Sequence, residues 1–347
     1  MNISLLKKIC EIPGAPGFEK RIRDFLISEI KDLVDDYYID NMGNLVCLKK
    51  GESDKKLVVS AHMDEISFIV THIDDEGFIR FHVLGGFDPK TLTAQRVLIH
   101  GKKDVVGVMG CKPIHLLSAE ERRKPLEIRD YFIDTGMPKK EVEKSISVGD
   151  SITRERELIE MGDCVNSKSI DNRVSVYILV EMLQKLKGKK PAFDTYVVFT
   201  VQEEIGLRGA TAAASGIDPD YTINLDTTIA NDLPGFQAHE AVTKLGAGAA
   251  IKVLDGRTVC DVRMVDFMKK IAKGSEIPYQ LEILPAGGTD TASFQQQAKG
   301  GSIAGAISIP TRYLHQVIEM ANKEDVVNCI DLLTECVMKL NEKDFAW

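Results

Sequence analysis

Two adjacent carboxylates, Glu203 and Glu204, follow the apolar run Thr195-Tyr-Val-Val-Phe-Thr-Val and precede Ile205-Gly206. Adjacent residues at a strand end point in different directions, so one can ligate a metal while the other faces the water that the metal activates. His62 and Asp64 stand two apart, directly after the apolar Leu57-Val-Val-Ser-Ala61. Positions i and i+2 of a strand share a face, so imidazole and carboxylate lie side by side. Such a carboxylate accepts the second ring N–H and fixes the tautomer that binds metal. Taken alone, His-x-Asp also describes a hydrogen-bonded structural pair. Its place after a buried strand favours a site, because α/β sites collect at the carboxyl ends of strands.

Asp226 repeats the arrangement after Tyr221-Thr-Ile-Asn-Leu225, and His315 follows Ile307-Ser-Ile-Pro-Thr-Arg-Tyr-Leu. Asp171, in Ser169-Ile-Asp-Asn-Arg-Val, stands just before a helix. It reads either as a helix cap or as a carboxylate bridging two cations about 3.5–4 Å apart. With His62, Asp64, Asp171, Asp226 and His315, the Glu203 and Glu204 pair completes a set that could hold two divalent metals and leave one base free. That set points to metal-assisted hydrolysis. Asp290, in Ala286-Gly-Gly-Thr-Asp-Thr-Ala-Ser, either caps a helix or shapes a substrate pocket. Its loop has no Gly-x-Gly-x-x-Gly or Walker pattern and is not read as a phosphate cradle. His72, His82, His100, His115 and His239 lack a strand-end context and are read as structural or surface residues.

Hydrolysis of a poor electrophile needs hydroxide at neutral pH and stabilisation of the developing oxyanion. Two cations sharing one water would lower its pKa, and the carboxylate of the pair left unliganded could take the proton and pass it to the leaving group. The mixed oxygen and nitrogen set suits Zn²⁺ first, then Co²⁺, and its carboxylates also admit Mn²⁺.

The elements that must position these residues read as an interrupted α/β domain. Residues 3–11 and 18–34 have helical periodicity, and strands are expected at Tyr37–Ile39, Leu45–Lys49 and Leu57–Ala61. From Ser67 the pattern changes to short strands without intervening helices, around 68–73, 78–84, 96–100 and 105–109, which argues for a small antiparallel barrel or sandwich. Ser118–Tyr131 and Lys139–Lys144 read as charged helices. The α/β pattern resumes near Asn166, with helices at 173–186, 210–215, 262–274 and 324–341 and strands at 195–201 and 221–225. A β-rich insertion, 67–163, is therefore expected inside one α/β domain made of 1–66 and 164–347.

A chain of 347 residues exceeds the ~250–300 at which a single core stops growing, so two domains are expected. With 44% hydrophobic and 28% charged residues the composition is that of an ordinary globular protein. The net charge of −8 gives no basic footprint for nucleic acid. No apolar run reaches the ~18–20 residues of a spanning helix, so no membrane partner is expected. Seven cysteines without a CxxC pair read as reduced thiols, and the expected location is the cytoplasm.

The motifs Ala61-His-Met-Asp-Glu65, Ser169-Ile-Asp-Asn-Arg173, Gln202-Glu-Glu-Ile-Gly-Leu-Arg-Gly-Ala210, Leu225-Asp226, Gly287-Gly-Thr-Asp290 and Ile309-Pro-Thr-Arg-Tyr-Leu-His315 span nearly the whole chain. In them the chain resembles the M42 family of metallo-aminopeptidases, which includes the tetrahedral and glutamyl aminopeptidases. The resemblance implies a mixed-sheet, zinc-peptidase-like catalytic domain with an inserted, small, β-barrel-like dimerisation domain. It further implies that His62 and Asp226 bind one metal, Glu204 and His315 the other, and that Asp171 bridges them. Glu203 would be the general base and Asp64 the partner of His62. Family members form dimers that assemble into twelve-subunit shells, so a homo-oligomer acting on the N-terminal residues of peptides is implied. Ser175, Tyr177, Ala249-Ala250 and Gln316-Val317 depart from the family pattern and bear on substrate preference. A different dinuclear hydrolase, such as a deacylase or carboxypeptidase, is the nearest alternative. An endoglucanase would leave both imidazoles unexplained, and a purely structural metal site would leave Glu203 without a use.

Overall fold

The computed structural model describes residues 1–346. Its larger sheet is mixed, and four parallel strands form its centre: Phe193–Thr200, Ser53–His62, Tyr221–Ile229 and Ile303–Arg312, in that order. Such strands are buried on both faces, which explains their near-continuous apolar sequences. Antiparallel strands flank them: Leu45–Lys49 and Asp36–Ile39 on one side, Glu319–Asn322, Cys164–Ser167 and Ile159–Met161 on the other. Ala249–Leu254 branches from Ile303–Arg312 and pairs with Tyr279–Ile283.

Alternate residues of each strand enter different cores, as a period of two requires. Leu45, Cys47, Leu57, Val59 and Val197 pack beneath helices Ile3–Glu11, Lys20–Ile30, Ile170–Lys185, Val262–Gly274 and Lys323–Lys339. Val46, Val58 and Val198 pack beneath Arg208–Ile217 and Asp290–Gln297. Helices cover both faces, so the strands' carboxyl ends are where side chains can gather in the open.

The second sheet is a closed six-stranded barrel, ordered Ser67–Ile73, Ile79–Leu84, Phe132–Asp134, Asp104–Gly110, Arg96–His100 and Ser151–Arg154. Closure removes the edge strands that a small sheet would expose. Phe68 stacks on Phe87 at 4.4 Å and meets Phe81 edge-on at 5.1 Å at the centre of a separate apolar core.

One expectation needs correction. Ser118–Tyr131 is not helical; it contains only the single turns Glu121–Arg123 and Ile128–Asp130. Pro125 disfavours helical geometry at Lys124 and cannot donate a backbone hydrogen bond. The run that precedes His315 enters the strand Ile303–Arg312, which contains Pro310, a residue that cannot donate to a ladder. It is tolerated two residues before the strand's end, opposite Thr228. No helix of the described residues is long and apolar enough to cross a membrane.

Candidate metal centre

Parallel pairing aligns the strand ends that carry the chemistry. His62 lies in register with Thr200, so the chain leaving Thr200 delivers Glu203 and Glu204 beside the imidazole. Gln202 has φ of 55°, which turns this segment sharply, and Gly206 has φ of 121°, a conformation open to glycine. Gly209 is required sterically: a Cβ there would lie 2.4 Å from the Val201 carbonyl oxygen. Asp226 sits in register with Ser308 on the next strand, and His315 follows that strand in a turn where its φ is 56°.

Asp171 lies between the two imidazoles. Its Oδ1 is 3.2 Å from His62 Nε2 and its Oδ2 is 3.2 Å from His315 Nε2. Around His62 Nε2 stand Asp226 Oδ1 at 3.7 Å and Glu203 Oε2 at 3.8 Å, while Glu204 Oε2 is 3.6 Å from His315 Nε2. His62, Asp171 and Glu204 form one group with potential ligand atoms within 4.8 Å of each other, and His62, Glu203 and Asp226 form a second. The structure thus brings all six of these residues together.

Asp64 lies beneath them, fully buried. Its Oδ1 is 3.4 Å from His62 Nδ1, and its two oxygens accept the backbone N–H groups of Glu203 and Glu204, each at 3.1 Å. One side chain therefore fixes an imidazole and the turn carrying both glutamates. Asp290 opens the helix Asp290–Gln297 and accepts a hydrogen bond from Thr200 Oγ1, so it packs against the Glu203 strand and is buried behind the centre.

The donor set is strongly anionic, with Asp64, Asp171, Glu203, Glu204, Asp226 and Asp290 around two imidazoles. Burial drives the Glu203 carboxyl well above its ordinary value, and the neighbouring charges of Asp226, Glu204 and Asp290 push the same way. Burial lifts Glu204 to about 8 and Asp290 to about 7. Burial opposes charge on His315, but Glu204 and Asp171 raise it to about 10. Asp171 moves oppositely: burial resists its ionisation, yet His315 and His62 hold it far below the carboxylate range. Such a site demands protons or cations for neutrality. Buried Glu204 Oε1 has no hydrogen-bond donor among the described residues, which fits an oxygen that ligates a cation.

A cleft of about 430 Å³ opens from these residues. Ile229, Leu284 and Leu314 give it apolar wall, and Lys252, Asp255 and Arg257 line its far side. Lys252 is buried between Glu282 at 3.1 Å and Asp255 at 3.2 Å. Sequence reasoning missed these wall residues and Glu319, whose Oε2 accepts the Asp171 N–H at 2.8 Å. Glu319 lies four residues beyond His315, but a lone glutamate in a short strand carries no local sign of burial.

Residues 43–332 match the family model of the M42 glutamyl aminopeptidases. The chain belongs to the M42 family. Among its M42 relatives, a putative aminopeptidase from Acetivibrio thermocellus is 42% identical over 334 residues, covering 96% of this chain and 97% of the relative. An aminopeptidase from the archaeon Desulfurococcus kamchatkensis has a solved structure that superposes with a TM-score of 0.92 at 38% identity, over 97% of this chain and 94% of that one. A TET1 peptidase from Pyrococcus horikoshii, described as assembling into a tetrahedron or a large octahedral shell, superposes with a TM-score of 0.88 at 32% identity, over 97% and 99% of the two chains.

Proposed function

We propose that this M42 protein is an aminopeptidase that holds two divalent metal ions and removes N-terminal residues from peptides. The observation that carries this reading is the Asp171 carboxylate, with one oxygen 3.2 Å from each imidazole and a further carboxylate beside each ring. That is the donor arrangement a bridged pair of cations needs. His62 and Asp226 would hold one ion and His315 and Glu204 the other, with zinc the best match to the mixed donors and cobalt or manganese compatible. When bound, the ions supply Lewis acidity and lower the pKa of water.

The residues of the chain do the rest. Glu203, which stands 3.8 Å from His62 Nε2 without a hydrogen bond to it, is the group assigned to move protons. It accepts one proton from water as the water oxygen adds to the peptide carbonyl carbon. It returns that proton to the nitrogen as the C–N bond breaks, releasing one amino acid and a shortened peptide with a new amino terminus. Burial raises the Glu203 carboxyl in the metal-free protein, and bound cations would lower it again toward the carboxylate that accepts a proton. The anionic wall around the centre suits a substrate's free α-ammonium group, which favours exopeptidase action over internal cleavage. Glycoside hydrolysis would leave the two imidazoles idle.

We further propose that the barrel region, 67–163, is a dimerisation module within a homo-oligomer, and that the protein works in the cytoplasm. Val106, Val108, Ile114 and Leu116 project apolar surface from the barrel, Leu116 with 68% of its area exposed. Five of the seven thiols are buried and none is paired, which suits a reducing compartment.

The deciding test is Glu203→Gln measured on a panel of aminoacyl-p-nitroanilides and short peptides with Zn²⁺, Co²⁺ or Mn²⁺ restored. The expected result is metal-dependent release of N-terminal residues by the wild type and a kcat loss of about 10²–10⁴-fold in the variant, the range of a lost general base. Activity only on acylated amino acids or C-terminal residues would replace the aminopeptidase reading with a deacylase or carboxypeptidase.

A further inference from the structure

A buried charge cluster joins the barrel to the metal centre and has no part in the proton transfers. Arg154 is the last residue of the barrel strand Ser151–Arg154, pairs across that sheet with Val97, and is 1% exposed. Burying a guanidinium is costly unless opposite charge and acceptors compensate it. The polar partners of the Arg154 side chain among the described residues lie outside the barrel. Its Nη1 donates to the Gln316 carbonyl at 2.5 Å, immediately after His315 in the chain. The same nitrogen is 3.8 Å from Glu319 Oε1, and the other oxygen of Glu319 accepts the Asp171 N–H at 2.8 Å. Arg154 Nη2 lies 3.7 Å from Glu65 Oε2.

Barrel packing fixes the arginine from the other side. Its Cζ stands 5.8 Å from the centre of the Phe87 ring, which is stacked on Phe68. The turn that leads into Phe87 touches the same half of the centre independently. A Cβ on Gly86 would lie 3.3 Å from His315 Nδ1, and one on Gly85 would lie 3.3 Å from Glu204 Oε2. The other half has direct supports of its own: His62 is held by Asp64, and Asp226 sits within a central strand.

The geometry points to Arg154 as a positioning residue through which the barrel sets the His315 and Glu204 half of the metal centre, while the His62 and Asp226 half, which shares only the Asp171 bridge with it, keeps its own supports. This rests on the two-metal reading above. Each cation-binding half is therefore shaped by a different sheet, and barrel docking controls only one.

The test is titration of metal-stripped, full-length protein with Co²⁺, followed by calorimetry and by visible absorption of the bound ion. Wild type is expected to take up two equivalents. Arg154→Met, which keeps the side chain's bulk and removes its charge, is expected to weaken one equivalent about 10–100-fold, the range seen when an outer hydrogen-bond partner of a metal ligand is lost. The other equivalent should stay within threefold. Gly86→Ala crowds the His315 ring without touching the charge cluster and should weaken the same equivalent. Gln316→Ala keeps the backbone acceptor and should weaken neither. Asp226→Asn should weaken the opposite equivalent, identifying which half is which. Two unchanged equivalents in both Arg154→Met and Gly86→Ala, or equal weakening of both, overturns the inference. If Arg154→Met does not fold, by far-ultraviolet circular dichroism, Arg154→Lys and Gly86→Ala decide it by the same readout. Failure of the wild type to bind Co²⁺ at all overturns the metal-centre reading itself and is thereby distinguished.

Discussion

Protons occupy the metal-free centre where cations would sit. Burial lifts Glu204 to about 8, and His315, opposed by burial but favoured by Glu204 and Asp171, is raised to about 10, so the pair between them retains protons at neutral pH. A cation must displace them, and raising the pH removes that competition. The affinity of stripped protein for Zn²⁺ is expected to rise between pH 6 and 8, by up to about tenfold per pH unit for each proton released. Calorimetry in two buffers of different ionisation enthalpy counts those protons directly; a pH-independent affinity with no proton release would contradict the charge balance described here. At this scale the sequence was informative where chemistry recurs at strand ends. His62, Asp64, Asp171, Glu203, Glu204, Asp226 and His315 converge because each follows an apolar strand or opens a buried helix. Arg154, Lys252 and Glu319 were illegible, since a single charged residue among apolar ones reveals neither its burial nor its distant partner.

The turn after Phe193–Thr200 depends on one carboxylate. Asp64 accepts two consecutive backbone N–H groups there while contacting His62, so it couples the ends of two parallel strands. Asp64→Asn presents an amide donor where an N–H donor already points, leaving a buried group unpaired at a cost of about 1–3 kcal/mol. The expected outcome is a lower thermal midpoint together with metal affinity reduced by about 10–100-fold at the His62 half. Unchanged stability and affinity would show that the turn holds itself. Elements with an uninterrupted period were legible from sequence: Leu45–Lys49, Arg96–His100 and Val262–Gly274 lie where their patterns place them. Proline acts differently in two places, breaking the apparent helix at Pro125 yet sitting inside a real strand at Pro310. Local propensity is overridden in the second case by pairing along nine positions with Tyr221–Ile229.

For the molecule as a whole, the exposed apolar residues of the barrel give the assembly proposal its handle. Ile114 and Leu116 are 63% and 68% exposed, so replacing both with aspartate should spare the protomer's fold. Sedimentation is expected to show a smaller species for that variant than for the wild type; an unchanged mass would place subunit contacts elsewhere. Mixed α/β class and a β-rich interruption were visible in the changing periodicity, whereas barrel closure depends on pairings between strands distant in sequence. The large sheet is also interleaved: its central strand Ile303–Arg312 comes from near the end of the chain and separates Tyr221–Ile229 from Glu319–Asn322. Long-range pairings of this kind form late, because chain closure must precede the contacts that reward it. During synthesis His62 emerges long before His315 and the strand that delivers it. The growing polypeptide therefore carries a dormant hydrolase, whose centre cannot assemble until residue 315 has been made.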